Sequence, residues 1–355
     1  MNILKKYGNR IFIDGLSGMA LGLFATLIVG TIIQQIGTLI GGHFGQWISY
    51  IGRIAASVTG AGIGVGVAVK LKESALVTLS AATCGMVGAF ASQILAGTAI
   101  LKETIVLKGP GEPLGAFIAA YAGIEIGRIF SGKTQIDIVI TPLVSVITGS
   151  VAGLFIGPSI SRFMAQVGQM INWGAEQNPF LIGIVVSVLM GMALTLPISS
   201  AAIGMVLGLS GIAAGAATVG CCANMVGFAV TSFRENKFGG LLAQGLGTSM
   251  LQVPNIIKNP LIWIPSILSS AILGPVATCS MIYMTNNAQG SGMGTAGLVG
   301  PLMTYQTMAP ERGTAVTLIL IALLHFVLPG IISLAIAEFM RKKKWIKDGD
   351  MKLDI

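Results

Sequence analysis

Long apolar runs, separated by short charged turns, are the feature that most limits what this sequence can fold into. Several runs, such as residues 15–40 and 314–340, are long enough for a helix to cross the hydrocarbon core of a bilayer. Only 10% of the 355 residues are charged, whereas a water-soluble domain carries about 25%. The runs are continuous and do not alternate at every second residue, which indicates helices. The sequence therefore predicts an all-α polytopic membrane protein.

The lengths of the apolar runs predict about ten transmembrane helices. The most regular spans are predicted at residues 15–40, 52–69, 74–100, 114–130, 138–156, 179–196, 261–283 and 314–340. Residues 201–231 are weakly polar and long enough for two more short spans, divided around residues 211–215. Together these runs account for most of the chain.

Glycine content indicates that the helices pack closely and that some of them are broken. The chain has 49 glycines, about twice the average share, and small residues let helices approach each other in lipid. Residues 159–178 have an amphipathic pattern, and residues 239–255 hold several amides, so we expect interfacial or re-entrant segments there. Residues 285–301 are polar and glycine-rich, which predicts irregular backbone.

The distribution of basic residues predicts the orientation. With both termini in the cytoplasm, most of the 21 Lys and Arg fall on the cytoplasmic side, as the positive-inside rule requires. This count uses the division of residues 201–231 into two spans. The whole chain, 1–355, is expected to be a single membrane-embedded domain, with a cytoplasmic amphipathic start at residues 1–14 and a basic cytoplasmic tail at residues 341–355.

A two-fold internal repeat is suggested by similar segments about 131 residues apart. Gly22-Leu23-Phe24 in the first span matches Gly153-Leu154-Phe155 in the fifth, and an amphipathic segment with a tryptophan follows each. Many transporters consist of two related halves. The alternative is convergence between helices that are all rich in glycine and leucine.

Enzyme, metal and nucleic-acid sites are not predicted. The chain has only two histidines, and its four cysteines lie in apolar stretches without metal-ligand or disulfide spacing. We therefore expect no metal, no cofactor and no catalytic residue. The net charge of +8 comes from basic clusters between apolar runs, which fits contact with anionic lipid and not nucleic acid. The first apolar run is too long for a cleavable signal peptide, so we expect it to be retained.

Ionisable residues within predicted spans are costly in lipid and often mark a site. Glu125 and Arg128 are three residues apart on one helix, so they can form an ion pair. Alternatively, Glu125 accepts hydrogen bonds from sugar hydroxyls or carries a transported proton. His325 lies in the middle of the last span, as either a packing residue or a functional one.

Amide side chains form the most site-like cluster. Asn286, Asn287 and Gln289 lie in the glycine-rich stretch, and Asn224 belongs to a second, weaker set. Non-helical backbone at membrane depth is tolerated only where it lines a cavity or is buried in protein. Amides on such a backbone suit a neutral polyol. The alternative is that residues 285–301 form an ordinary extracellular loop.

Two parts of the chain resemble a known family. Residues 112–142, which include the motif Glu112-Pro113-Leu114-Gly115, and residues 196–202 are similar to the second EIIC-type family of the bacterial phosphotransferase system. Membrane regulators of the perfringolysin-regulator type belong to the same group. The resemblance covers nearly the whole chain. It implies a permease-like subunit in the bacterial inner or plasma membrane. It also implies re-entrant hairpins and a homodimer.

Departures from the glucose-type permeases limit what the resemblance implies. Their Gly-Ile-Thr-Glu motif, whose glutamate contacts sugar, is not found here. We expect no fused EIIA or EIIB domain, so any phosphoryl transfer is expected to need separate proteins. The resemblance then implies that an EIIB-like partner docks on the basic cytoplasmic face.

Three functions follow as hypotheses. The first is a sugar-transporter subunit of the EIIC type that moves a small polar solute by alternating access, with its site between the two halves. The second is a membrane sensor or regulator that binds a ligand without transport. The third is an ion- or proton-coupled transporter of another metabolite, in which Glu125 or His325 titrates.

Overall fold

The computed structural model describes residues 7–101, 104–109, 111–175, 178–198 and 200–353. Parts of some predicted features lie outside the described residues: residues 1–6 of the amphipathic start, residues 176–177 of the amphipathic stretch, Ser199 of the 196–202 motif, and residues 354–355 of the tail. The described part of the chain is 81% helical, which confirms the all-α class.

The described part of the chain divides into two compact units, Met1–Phe163 and Met164–Asp354. The first contains the helical segments Arg10–Gly15, Leu16–Leu23, Phe24–Ile28, Val29–Ile40, Gly42–Ser57, Thr59–Lys70, Ala75–Ala89, Ala91–Leu95, Pro113–Phe130 and the start of Asp137–Ala175. Two short strands, Ile100–Leu101 and Thr104–Ile105, lie between the Ala91–Leu95 and Pro113–Phe130 helices and form an antiparallel pair.

The second unit contains more broken helices. Its segments are Pro179–Thr195, Ser200–Val206, Gly211–Thr231, Phe233–Leu242, Ala243–Gly247, Ser249–Gln252, Val253–Lys258, Pro260–Trp263, Ile264–Thr278, Ala288–Ser291, Ala296–Leu298, Val299–Arg312, Thr314–Ile321, Ala322–Val327 and Leu328–Lys342. Asn178 caps the first of these by accepting a hydrogen bond from the N–H of Leu181, and Pro179 is its first residue, where the missing N–H costs nothing.

The described residues contain six helical stretches long and apolar enough to cross a membrane. These are Tyr7–Ile40, Pro113–Phe130, Asp137–Gly157, Gly211–Thr231, Pro260–Thr278 and Thr314–Lys342. A seventh arises if Gly42–Ser57 and Thr59–Lys70, bent by 53° relative to each other, count as one span. The polytopic fold is confirmed, but the predicted count of ten is not. Ala75–Ala89 and Pro179–Thr195, where spans were also predicted, are shorter than the roughly 20 residues that a straight crossing needs.

Two predicted boundaries are corrected. Residues 201–231 do not form two short spans: they contain all but the first residue of a seven-residue helix, Ser200–Val206, and then one 21-residue helix, Gly211–Thr231. The break falls earlier than predicted, where Gly208 and Gly211 adopt positive φ. The amphipathic stretch from residue 159 is not a separate element either, because the Asp137–Ala175 helix continues into it without a break.

Glycines allow the close helix packing that their number predicts. In the first unit, a Cβ on Gly22 would overlap the carbonyl oxygen of Gly62, and a Cβ on Gly64 would overlap that of Ala81. In the second unit, a Cβ on Gly220 would overlap the carbonyl oxygen of Ser187. Neighbouring backbones therefore touch directly, which is how small residues stabilise helix pairs in lipid.

The Gly211–Thr231 helix is the centre of the second unit. It packs against Pro179–Thr195, Ile264–Thr278 and Leu328–Lys342, and most of its side chains are buried. One apolar cluster beside it joins Val219, Leu273, Ala277, Met284, Met308 and Leu324. Because Met284 and Leu324 belong to this cluster, it connects the start of the glycine-rich stretch to the part of the last span that carries His325.

Candidate functional site

The stretch between the Ile264–Thr278 and Val299–Arg312 helices is irregular, as its composition predicts. It contains only a four-residue helix, Ala288–Ser291, and a three-residue turn, Ala296–Leu298. A Cβ on Gly292 would overlap the carbonyl oxygen of Ser200, so the backbone packs directly on a neighbouring element. Much of the stretch is buried within the second unit, so it is not an ordinary exposed loop.

Asn286 holds this stretch in place. Its side chain is 1% exposed, and the two N–H groups of its amide are shared among three acceptors, the hydroxyls of Thr218 (2.8 Å) and Thr304 (2.9 Å) and the carbonyl of Gly300 (3.2 Å). Its amide oxygen accepts from the N–H of Asn287 at 2.8 Å. The protein thus uses the hydrogen-bonding capacity of Asn286 to join two helices to the irregular backbone.

Asn287 and Gln289 keep capacity for a ligand. The amide oxygen of Asn287 caps the short helix by accepting from the N–H of Gly290 at 3.0 Å. Among the described residues, its nitrogen has only the sulfur of Met303 as a hydrogen-bond acceptor, at 3.7 Å, and a thioether is a weak acceptor. Gln289 is exposed, and its amide makes no hydrogen bond within the described part of the chain. These two amides can therefore donate to and accept from a polar molecule.

Asn224 lies on the central helix with all its hydrogen-bonding groups occupied. It is fully buried, its nitrogen donates to Gly220 O and Ser270 Oγ (both 3.1 Å), and its oxygen accepts from Trp263 Nε1 at 2.9 Å. The hydroxyl of Thr195 also approaches that oxygen, at 3.3 Å. Asn224 therefore joins the central helix to its two neighbours.

His325 is buried in a different way. It lies in a π-helical turn, Ala322–Val327, which interrupts the last span. The side chain is fully buried, and neither ring nitrogen has a hydrogen-bond partner among the described residues. Single π-turns within helices are frequent at functional sites. An unpaired buried imidazole is also costly, so it needs an explanation.

Glu125 belongs to the first unit, where it forms part of a four-residue ion-pair cluster. One of its carboxylate oxygens accepts from Arg10 Nε at 2.7 Å, and the other accepts from Arg128 Nη2 at 2.6 Å. Arg10 also donates to Glu73 at 2.5 Å. The ion pair between Glu125 and Arg128, which their spacing predicts, is present. Arg10 and Glu73 extend it, so two carboxylates balance two guanidinium groups.

Comparison with known proteins decides the family. A family model described as "Phosphotransferase system, EIIC" matches residues 13–353. The chain belongs to the phosphotransferase EIIC family. A search of curated proteins finds no match to the chain. As an EIIC protein, it is an integral membrane protein and a sugar-transporter component of the phosphotransferase system. EIIC proteins are membrane transport components, and they generally work with EIIA and EIIB partners.

The first unit of this EIIC protein also contains a groove of about 980 Å³. Its walls are mostly small and apolar side chains of the amino-terminal helix and of Thr59–Lys70, such as Ala25 and Val65. Charged side chains line it as well, among them Arg10 and Lys72. Such a lining offers few hydrogen-bonding groups to a sugar.

The structure brings the predicted residues of this EIIC protein together only in part. Asn286, Asn287 and Gln289 share one segment, while Asn224 and His325 lie on two other helices of the same unit. Glu125 lies in the other unit. No group of three or more His, Cys, Asp or Glu that could hold a metal occurs within the described ranges.

The sequence interpretation missed four contributing residues: Thr218, Thr304, Arg10 and Glu73. The two threonines resemble many other hydroxyl residues in apolar helices, so no sequence signal distinguishes them. Arg10 pairs with Glu125, which is 115 residues away in the sequence, and with Glu73, which is 63 residues away. Opposite charges at the ends of predicted spans are the only signal that could have suggested this cluster.

Proposed function

We propose that this EIIC protein moves a small polar, sugar-like solute by alternating access, and that Asn287 and Gln289 bind hydroxyls of that solute. The observation that carries the proposal is that both amides keep hydrogen-bonding capacity. They lie on the irregular, glycine-rich segment of the second unit. Solute sites commonly combine a shaped cavity with a few convergent polar groups. The groove of the first unit is not part of this proposal, because Asn287 and Gln289 lie in the second unit and do not line it.

The other predicted residues have supporting roles in this proposal. Asn286 positions the segment that carries the two binding amides, and Asn224 fixes the helices around the central one. Glu125 orders the first unit through its two arginines. It would contact a solute only if one of these ion pairs opened during the transport cycle.

A second candidate, coupling to a proton or another ion, is favoured by one observation. The imidazole of His325 is buried and unpaired in a π-turn of the last span. Ionisable residues within membrane spans commonly mark ion or proton pathways. A solute uptake rate that depends on a pH gradient, and loses that dependence in His325→Gln, would support this candidate.

The partners and location are also proposals. We infer a bacterial plasma membrane, both termini in the cytoplasm, a homodimer, and a separate EIIB-like protein docking on the basic cytoplasmic face. The net charge of +8, concentrated in short turns, supports this docking because it would attract an acidic surface. Labelling of cysteines introduced at residues 5 and 347, in sealed cells and in lysed cells, tests the orientation.

A thermal-shift screen of the purified protein against free sugars, sugar acids and sugar phosphates tests the site. A ligand at 100 times its Kd stabilises a fold by about 2.7 kcal/mol. We expect one of these compounds to stabilise the protein. Its affinity should be at least tenfold lower for Gln289→Ala and for Asn287→Ala. Gln306→Ala removes an exposed amide from the next helix and serves as the matched control, with unchanged affinity. Equal affinity in all three variants would contradict the site.

A further inference from the structure

The carboxy-terminal residues 343–353, named here the strap, fold back onto the second unit. Ile346 and Met351 are buried, 2% and 0% exposed. They pack in an apolar cluster with Phe228, Ile256 and Met340. The tail that the sequence predicts as a basic cytoplasmic extension is therefore a fixed part of the fold as far as residue 353.

Amide side chains hold the strap along its length. Asn236 donates to the carbonyl of Met351 at 2.8 Å and accepts from the N–H of Leu353 at 2.8 Å. Further amide donors to the strap are Gln252 to Met351 O (3.0 Å), Asn255 to Lys352 O (2.9 Å), and Asn259 to Asp350 Oδ2 (2.8 Å) and Trp345 O (3.1 Å). Groups carried by the strap are thus held in defined positions.

A basic pocket of about 460 Å³ lies where the strap leaves the last helix. It is lined by Arg234, Glu338, Arg341, Lys342, Lys344, Ile346, Lys347 and Asp348, that is, five cations and two carboxylates. Glu338 pairs with Arg234 and Arg341, each at 2.9 Å. The three lysines have no ion pair within the described part of the chain, so the pocket carries unbalanced positive charge.

Lys344 occupies a backbone position that favours glycine. Its φ is 62°, in the left-handed region. Its N–H donates to Arg341 O at 2.9 Å and that of Trp345 donates to Met340 O at 3.0 Å, which is the Schellman pattern that usually ends in glycine. A lysine in this region is uncommon, and replacing it by glycine is expected to relieve the backbone.

Exposed aromatic rings place the pocket at the membrane interface. Phe339 and Trp345 are 54% and 51% exposed, and their rings meet edge to face at 6.3 Å. Phe339 lies in the last turn of the apolar span Thr314–Lys342, and Trp345 follows three residues after its end. Aromatic side chains at span ends sit at the level of the lipid head groups. We therefore expect the basic pocket beside them at the depth of the lipid phosphates.

We propose that this pocket binds the phosphate of an anionic lipid head group, with Lys342, Lys344 and Lys347 as its ligands. Ammonium groups form charge-assisted hydrogen bonds with phosphate oxygens, and basic clusters next to a span attract anionic lipid. The concave shape and the aromatic rings beside the pocket favour a lipid over the flat acidic surface of a protein. The site is separate from the solute site proposed above.

The test measures binding of phosphatidylglycerol to the full chain in detergent, by native mass spectrometry and by thermal shift, against phosphatidylcholine. Lys344→Gly removes the cation and relieves the backbone, and Lys347→Gln is a second variant. Lys237→Gly is the matched control, because Lys237 also has positive φ (51°) but does not line the pocket.

We expect phosphatidylglycerol to bind the unchanged protein and Lys237→Gly alike, and to bind Lys344→Gly and Lys347→Gln at least fivefold more weakly. Thermal stability in phosphatidylcholine should not fall in Lys344→Gly. Equal phosphatidylglycerol binding in all variants would overturn the proposal. So would inorganic phosphate or an acidic peptide giving the same stabilisation as the lipid at equal concentration, since the site would then be one for soluble anions.

Discussion

His325 and Asn224 are both fully buried polar residues of the second unit, yet we expect their replacement by leucine to have opposite effects. His325→Leu removes one donor and one acceptor that lack partners. An unsatisfied buried group costs about 1–3 kcal/mol, so removing two relieves roughly 2–6 kcal/mol. A change of shape in a packed core costs up to about 1.5 kcal/mol. The expected net effect is a stabilisation of about 0.5–6 kcal/mol.

Asn224→Leu is the matched control, because Asn224 makes hydrogen bonds to Gly220, Ser270 and Trp263. The substitution leaves the indole N–H of Trp263 unpaired, at a cost of about 1–3 kcal/mol. Steric overlap adds to this cost, because a Cβ on Gly191 would already overlap the Asn224 amide nitrogen. We expect Asn224→Leu to destabilise the protein by at least about 2 kcal/mol.

Thermal unfolding of the purified variants, followed by tryptophan fluorescence, measures both effects. For a unit of this size 1 kcal/mol shifts Tm by about 2–4 °C. We therefore expect His325→Leu to raise Tm by about 1 °C or more and Asn224→Leu to lower it by about 4 °C or more. A lower Tm for His325→Leu would refute the reasoning, since the imidazole would then contribute favourable interactions that the described contacts do not contain.

Three further perturbations follow from the packing and the ion pairs. Gly22→Ala should lower thermal stability by about 1–3 kcal/mol, because its methyl group overlaps the backbone of Gly62; an unchanged Tm would mean that these helices do not touch. Asn286→Ala should cost about 2–3 kcal/mol, since it leaves Thr218 and Thr304 without their donor. Glu125→Gln should lower stability by about 1 kcal/mol at low ionic strength and by less in 1 M salt, because the cluster is partly exposed; a salt-independent effect measured by thermal shift would contradict this.

The sequence predicted the class of fold and the irregular polar segment for physical reasons. Because charged residues are few and the apolar runs are long, the sequence leaves few alternatives to a helical membrane protein. A polar, glycine-rich segment within such a chain requires an interruption of the regular helix. The number of spans was not predictable in the same way. Ala75–Ala89 and Pro179–Thr195 are apolar but short, and composition does not determine where a short helix ends.

The site was predictable only where it depends on local spacing. The ion pair of Glu125 and Arg128 follows from three-residue separation on a helix. The difference between Asn286, which is saturated, and Gln289, which is exposed, depends on contacts with distant helices. The left-handed conformation of Lys344 had no sequence signal, because lysine is rare at such positions.

Uptake into proteoliposomes tests the central claim, transport of a polar solute, most directly. The EIIC protein is reconstituted with an EIIB-like partner and a labelled sugar taken from the binding screen, beside Gln289→Ala and the control Gln306→Ala. We predict that Gln306→Ala takes up the sugar at the rate of the unchanged protein. The uptake rate of Gln289→Ala should be at least tenfold lower, with equal Tm for both variants. Saturable sugar binding without any uptake would contradict transport and would indicate a membrane sensor instead.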